Sequence, residues 1–292
     1  MAQGLETAAK SYDKIVSVNG LKLHYLDWGN AGSPDMLLVH GMTGNAHAWD
    51  FFAVALREQF HIIALDQRGH GESEWPSDHS YTTKSLVADL DAFVNEVNLE
   101  KLTYIGHSMG AHNGLGYASL RPNKVERLVL VDHGPARETP TPANYSAAPD
   151  SFATIDELVD WYQQTNKIAS REILRHRAQW STELGSDGRL HYKHDPVIRT
   201  GWDCEDLWGI MPRVTCPTLL LRGGESASVS PTYAERTVKA LSKGNLKELP
   251  RAGHSIMLDQ PALFEEAVRE FLAQQRVISR EKVQGWQEKS GP

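Results

Sequence analysis

Ser108 stands at the centre of Gly106-His107-Ser108-Met109-Gly110, a GxSxG pentapeptide. Leu102, Thr103, Tyr104 and Ile105 precede it as a run rich in β-branched and aromatic residues, and small or helix-favouring residues follow, so the segment reads as strand, sharp turn and helix. Such a turn holds the serine in a strained backbone conformation that only small neighbours tolerate, the role expected of Gly106 and Gly110. Ser108 then projects from the top of the sheet as a nucleophile. The backbone N–H of Met109, at the start of the helix, points where an oxyanion would form.

A serine hydroxyl is a weak nucleophile until a base within hydrogen-bond reach takes its proton, and the base needs a partner that fixes its tautomer. Thirteen histidines make a lone His uninformative. His254, in Ala252-Gly253-His254-Ser255, is set apart by its position in a loop between the final strand and the final helix, where a side chain reaches across to the strand tips.

These residues need a scaffold, and the surrounding pattern supplies one. Residues 14–28 alternate apolar and polar on both sides of Asn19-Gly20, a strong short-range hairpin signal. Met36-Leu37-Leu38-Val39 is a near-continuous apolar run, as is residues 61–65, and both read as strands buried on two faces. Helical spacing follows over residues 46–59, with Trp49, Ala53 and Leu56 on one face, and over 83–98, with Leu86, Leu90 and Phe93. Further strands are expected at 125–132, 218–223 and 246–249, with helices over 231–241 and 261–276. Residues 277–292 read as a loosely attached polar tail. Strands alternating with helices imply crossovers, hence an α/β fold with a mostly parallel sheet and helices on both faces.

The alternation breaks over residues 136–214. That stretch carries helical patterns around 155–165 and 169–180, no visible buried strand, and Trp161, Trp180, Trp202 and Trp208, half of the chain's eight tryptophans. It reads as a helical cap inserted into a core made of residues 1–135 and 215–292.

Bulk properties narrow the classes. With 292 residues, 40% hydrophobic and 23% charged, the chain has the balance of an ordinary globular protein. A formal charge of −7 argues against a nucleic-acid surface. Two cysteines, Cys204 and Cys216, exclude a disulfide framework and a cysteine-based zinc site. Neither a signal-peptide pattern nor a membrane-length apolar run is visible, so a cytoplasmic location is the expectation. The sequence implies no cofactor and no metal, a small-molecule substrate as partner, and no nucleic acid or membrane; a homo-oligomer stays open.

The HGMTG loop at 40–44, the DQRGHGES segment at 66–73, the GHSMG elbow at 106–110 and the AGH of 252–254, in that order, resemble the α/β-hydrolase family over about residues 14–276. The resemblance implies Ser108 as nucleophile and His254 as base. It implies further that the backbone N–H groups of Met42 and Met109 form the oxyanion hole. Arg68 and His70, in the 66–73 segment, match a structural turn. The resemblance departs at the acid, because the position where the family commonly carries an Asp falls on Ala227. Asp132, at the tip of the strand after the nucleophile strand, is the preferred substitute, and Glu225, in the usual loop, is the alternative. The absence of any functional acid is the third possibility.

The implied reaction is attack of Ser108 on a carboxylic ester, lactone or thioester through an acyl-enzyme. Hydrolysis of an amide or a carbon–carbon bond on the same fold is the alternative, and a ligand-binding protein with little turnover is the second alternative. His191 and His194 form an HxxH pair that reads as a surface loop rather than a metal site. Asn144-Tyr145-Ser146 matches a glycosylation acceptor without a secretory context. Gly114 and Gly116 read as close-packing positions. His133 would line the pocket or face solvent, and the cap tryptophans would pack the cap rather than bind substrate.

Overall fold

The computed structural model describes residues 11–139 and 148–287, with side chains through residue 274; Asn144-Tyr145-Ser146 lies outside the described residues. The strands in chain order are β1 (Tyr12–Val18), β2 (Leu21–Asp27), β3 (Asp35–Val39), β4 (His61–Leu65), β5 (Leu102–His107), β6 (Val125–Val131), β7 (Ser151–Phe152), β8 (Thr182–Leu184), β9 (Leu190–Tyr192), β10 (Thr218–Gly223) and β11 (Gly244–Leu249). The helices are α1 (Asp50–Leu56), α2 (Thr83–Glu96), α3 (Met109–Leu120), α4 (Ile155–Thr165), α5 (Arg171–Ser181), α6 (Ile198–Gly201), α7 (Pro231–Lys239), α8 (Ile256–Asp259) and α9 (Pro261–Gln287).

Eight strands form one sheet in the order β1-β2-β4-β3-β5-β6-β10-β11. The β1–β2 hairpin turns at Asn19 and Gly20, both at positive φ, and β2 runs antiparallel to β4; the remaining pairings are parallel. The two-residue period of a strand explains why β3 is apolar from Met36 to Val39. Met36 and Leu38 enter one core with α1 and α9, whereas Leu37 and Val39 enter the other with α2 and α3.

Three expectations need correction. The first helix is shorter than residues 46–59: Ala46–Trp49 is a 3₁₀ turn capped by the Asn45 side chain, and regular helix covers only α1. Between β6 and β10 the described residues are not purely helical. Besides α4 and α5 they carry a three-stranded antiparallel sheet, β7-β9-β8. These strands have two or three residues each, too few for alternation to register as a pattern. Finally, α9 continues through Gln287 rather than ending near 276, and its extension is rich in Arg, Glu, Lys and Gln, which favour helix.

Among the described residues no helix is long and apolar enough to cross a membrane.

Candidate active site

The sheet brings three loop residues to the carboxyl ends of neighbouring strands, the end at which open α/β folds bind ligands. Register pairs His107 of β5 with Val131 of β6, so Ser108 and Asp132, each one residue on, leave the sheet at the same level. Strand β10 lies between β6 and β11, and the loop after β11 carries His254 back toward both.

Ser108 sits at φ 51°, ψ −116°, outside the helical and extended regions, as the residue immediately before α3. Two glycines permit this turn. A Cβ on Gly106 would lie 2.3 Å from Gly110 O, and a Cβ on Gly110 would lie 2.3 Å from Val39 O. Backbone occupies both places, so neither neighbour can step aside.

His254 Nε2 lies 2.9 Å from Ser108 Oγ, and its Nδ1 lies 2.8 Å from Asp132 Oδ2. A carboxylate only accepts, so Nδ1–H donates to Asp132 and the Nε2 lone pair faces the serine hydroxyl. Asp132 is fully buried, and the Gly223 N–H donates to its Oδ1 at 3.0 Å while Ser226 Oγ donates to its Oδ2. Three donors thus hold a carboxylate that water does not reach, as a buried charge requires.

The structure therefore brings Asp132, not Glu225, to His254. Glu225 is exposed on the cavity rim, and Ala227 is exposed beside it. His107 contributes what the pentapeptide pattern alone did not suggest: its Nε2 donates to the His254 carbonyl at 2.9 Å, bracing the loop that carries the imidazole. Burial, with His254 beside it, pushes His107 well below the usual histidine range, which keeps it neutral and fit for that role.

Met42 lies in the loop after β3. A Cβ on the preceding Gly41 would approach Ser108 Cβ to 2.9 Å, so this backbone runs directly against Ser108. Among the described residues neither the Met42 N–H nor the Met109 N–H donates to a protein acceptor. The Met109 side chain is fully buried with Tyr81, Leu86, Ile198 and Trp202.

His254 opens onto a cavity of about 530 Å³ whose walls include Thr43, Trp161, Tyr162, Arg177 and His194. Of the four tryptophans of residues 136–214, only Trp161 lines it; Trp202 is buried against His112 and His133, and Trp180 stacks on His47. The HxxH pair divides. His191 is exposed and pairs with Asp187, whereas His194 is buried, accepts from Arg199 Nε at 3.2 Å and reaches the cavity. His194 was expected on a surface loop, but its bridge to the buried His70 draws it inward. His133 neither lines the cavity nor faces solvent: it is buried, and that burial lowers its pKa to about 4. Arg68 and His70 are also buried, Arg68 in an ion pair with Asp89. A Cβ on Gly114 would strike the Tyr104 ring, and one on Gly116 would strike Val87. Among the described residues no group of three or more His, Cys, Asp or Glu is arranged to hold a metal ion.

Comparison with known proteins agrees with this architecture. The family model of the alpha/beta hydrolase fold matches residues 34–169. The chain is 31% identical over 265 residues to an N-formylmaleamate deformylase of Pseudomonas putida, covering 88% of this chain and 95% of that protein. It is 28% identical over 255 residues to an esterase of Mycobacterium tuberculosis, covering 84% of each. Among solved structures, that of E-2-(acetamidomethylene)succinate hydrolase superposes with a TM-score of 0.83 at 24% identity, over 90% of this chain and 99% of that one. The chain belongs to the α/β-hydrolase family and is a hydrolase of that fold.

Proposed function

We propose that the protein is a serine hydrolase that cleaves a carboxylic ester, lactone or thioester of a small, partly apolar substrate through an acyl-enzyme. The observation that carries this reading is the continuous hydrogen-bonded chain from Ser108 Oγ through His254 to the buried carboxylate of Asp132. His254 Nε2 takes the hydroxyl proton as Ser108 Oγ attacks the carbonyl carbon, and the imidazolium so formed is stabilised by Asp132. The Met42 and Met109 N–H groups receive the negative oxygen of the tetrahedral intermediate. His254 then gives its proton to the leaving group. Water, deprotonated by the same imidazole, attacks the acyl-enzyme and frees Ser108.

Hydrolysis of an amide by the same groups is the second reading, favoured by the similarity to a protein named as a deformylase. The machinery is shared; the leaving group differs, because an amine leaves only when His254 protonates it. The hydrogen bond between Asp132 and His254 supports turnover over the ligand-binding reading, since it supplies an acid although position 227 is Ala.

Labelling with a fluorophosphonate, followed by intact mass and peptide mapping, tests the proposal. A single adduct on Ser108 that disappears in Ser108→Ala is the expected result. No adduct, under conditions that label a known serine esterase, would overturn it. A panel of activated esters and matched anilides then separates the two readings.

A further inference from the structure

Arg177 projects from α5 into the cavity that His254 opens onto. Its guanidinium lies over the Tyr162 ring, 4.3 Å from the centroid, so one face is covered and the in-plane N–H groups stay available. Among the described residues it makes no hydrogen bond and no ion pair.

The other arginines nearby are spoken for. Arg171 and Arg175, on the same helix, pair with Asp160 and Asp156. Arg199, the second arginine of the cavity wall, bonds Asp150 Oδ1 and Ala148 O and donates to His194. The cavity's own acids do not answer Arg177 either. Asp259 is engaged at both oxygens, by Asn166 Nδ2 at 2.6 Å and by the Gly253 N–H at 2.8 Å, and Glu225 is exposed at the rim. The positive charge of Arg177 acts on His107 and His194, disfavouring their protonation beyond what burial does, which fits a position beside the nucleophile rather than on the outer surface. Asp259 feels the charge of Arg177 but forms no hydrogen bond or ion pair with it, so a half-buried guanidinium whose N–H groups meet no acceptor among the described residues, in a chain of formal charge −7, marks a place where an anion is meant to arrive.

We propose that the cavity takes a substrate bearing a free carboxylate, such as a half-ester or half-amide of a small dicarboxylic acid, and that Arg177, backed by Tyr162, receives that carboxylate. The reacting bond rests on the hydrolase reading above; the carboxylate site does not. A guanidinium fork matches a carboxylate with two parallel N–H···O bonds, so the contact fixes orientation as well as charge. One end of the substrate is then anchored and the other is presented to Ser108.

Two measurements on the full chain test this. Calorimetry with glutarate and its neutral isostere glutaramide reads the site without turnover. Wild type binds glutarate more tightly, and Arg177→Met weakens glutarate binding by about 30-fold, the equivalent of about 2 kcal/mol for a charged hydrogen-bonded contact. Arg177→Gln serves the same purpose if the Met variant fails to fold, and Arg175→Met, outside the cavity, leaves the affinity unchanged. In kinetics, the ratio of kcat/KM for 4-nitrophenyl hydrogen glutarate to that for 4-nitrophenyl pentanoate falls by a similar factor in Arg177→Met. Failure of glutarate to bind wild type, or equal affinity in wild type and both Arg177 variants, overturns the proposal even if the esters are hydrolysed. Conversely, if wild type hydrolyses neither ester and takes no fluorophosphonate, the hydrolase reading fails while calorimetry still decides the carboxylate site.

Discussion

Ser226 donates its hydroxyl hydrogen bond to Oδ2 of Asp132, the same carboxylate oxygen that receives Nδ1–H of His254. Asp132 has a backbone φ of 53°, so the side chain is held at a bend and relies on its donors for orientation. Removing the hydroxyl leaves a buried carboxylate with one partner fewer. In Ser226→Ala we expect kcat to fall about tenfold with KM little changed, and stability to drop by about 1–3 kcal/mol. Steady-state kinetics beside urea melts check this. A variant that loses stability but keeps kcat would reduce Ser226 to a packing role.

Asp132→Asn acts on His254 through the far side of its ring. The Asn amide can donate to Nδ1 and so favour the tautomer with its proton on Nε2, which cannot accept from Ser108. By the precedent of buried triad acids, kcat should fall by roughly four orders of magnitude with the fold intact. Glu225→Gln, at an exposed side chain that makes no hydrogen bond with His254, should change kcat by less than tenfold. Reversal of these two outcomes, measured on an activated ester, would return the acid to the loop after β10.

How far the sequence foretold this site depended on distance along the chain. The pentapeptide around Ser108, the hairpin at Asn19-Gly20 and the apolar runs of β3 and β4 are local signals, in which spacing dictates geometry directly. His254 was legible from its place after the last strand. The partners of Asp132 were not, because Gly223 and Ser226 meet it across strands some ninety residues apart, and a serine in a loop announces nothing. Arg177 and His194 were hidden for the same reason: their meaning lies in what they do or do not touch. The miniature sheet β7-β9-β8 escaped because its strands are shorter than any periodicity.

The elbow glycines make a steric prediction. A methyl group on Gly110 would meet two backbone oxygens, Val39 O at 2.3 Å and His40 O at 2.7 Å, on the strand that leads to the Met42 loop. Relief requires the start of α3 to move away from the end of β3, so Gly110→Ala should lose about 3 kcal/mol and most of the fluorophosphonate reactivity. Gly29→Ala is the contrast. Its Cβ would meet nothing within 4 Å, although φ is +80°, so only the left-handed backbone is penalised, by about 1 kcal/mol. Equal urea midpoints for the two variants would mean that the elbow yields more easily than the contacts imply.

A pH dependence follows from His24 and Asp66, which join β2 to the loop after β4. Burial alone would lower the pKa of His24, but its hydrogen bonds to Asp66 at 2.8 Å and Asp13 at 3.1 Å outweigh burial and raise it above the usual histidine value. For Asp66 burial acts upward, and the bond from His24 with its charge, together with backbone N–H donors, outweighs it and holds the carboxyl below its usual range. The signs are opposite. Stability from the raised His24 is fully present below about pH 6.5 and is lost as pH climbs through its folded-state pKa; stability from Asp66 is present above about pH 3.9 and is lost as pH falls through its lowered value. Between pH 6 and pH 8.5, therefore, the wild type should lose thermal stability through His24, whereas His24→Gln, which cannot titrate, should be less stable at pH 6 and show a flatter profile. Melting temperatures at the two pH values decide it: an equal drop in both proteins would show that His24 is neutral in the native state and that Asp66 is held by its backbone donors alone.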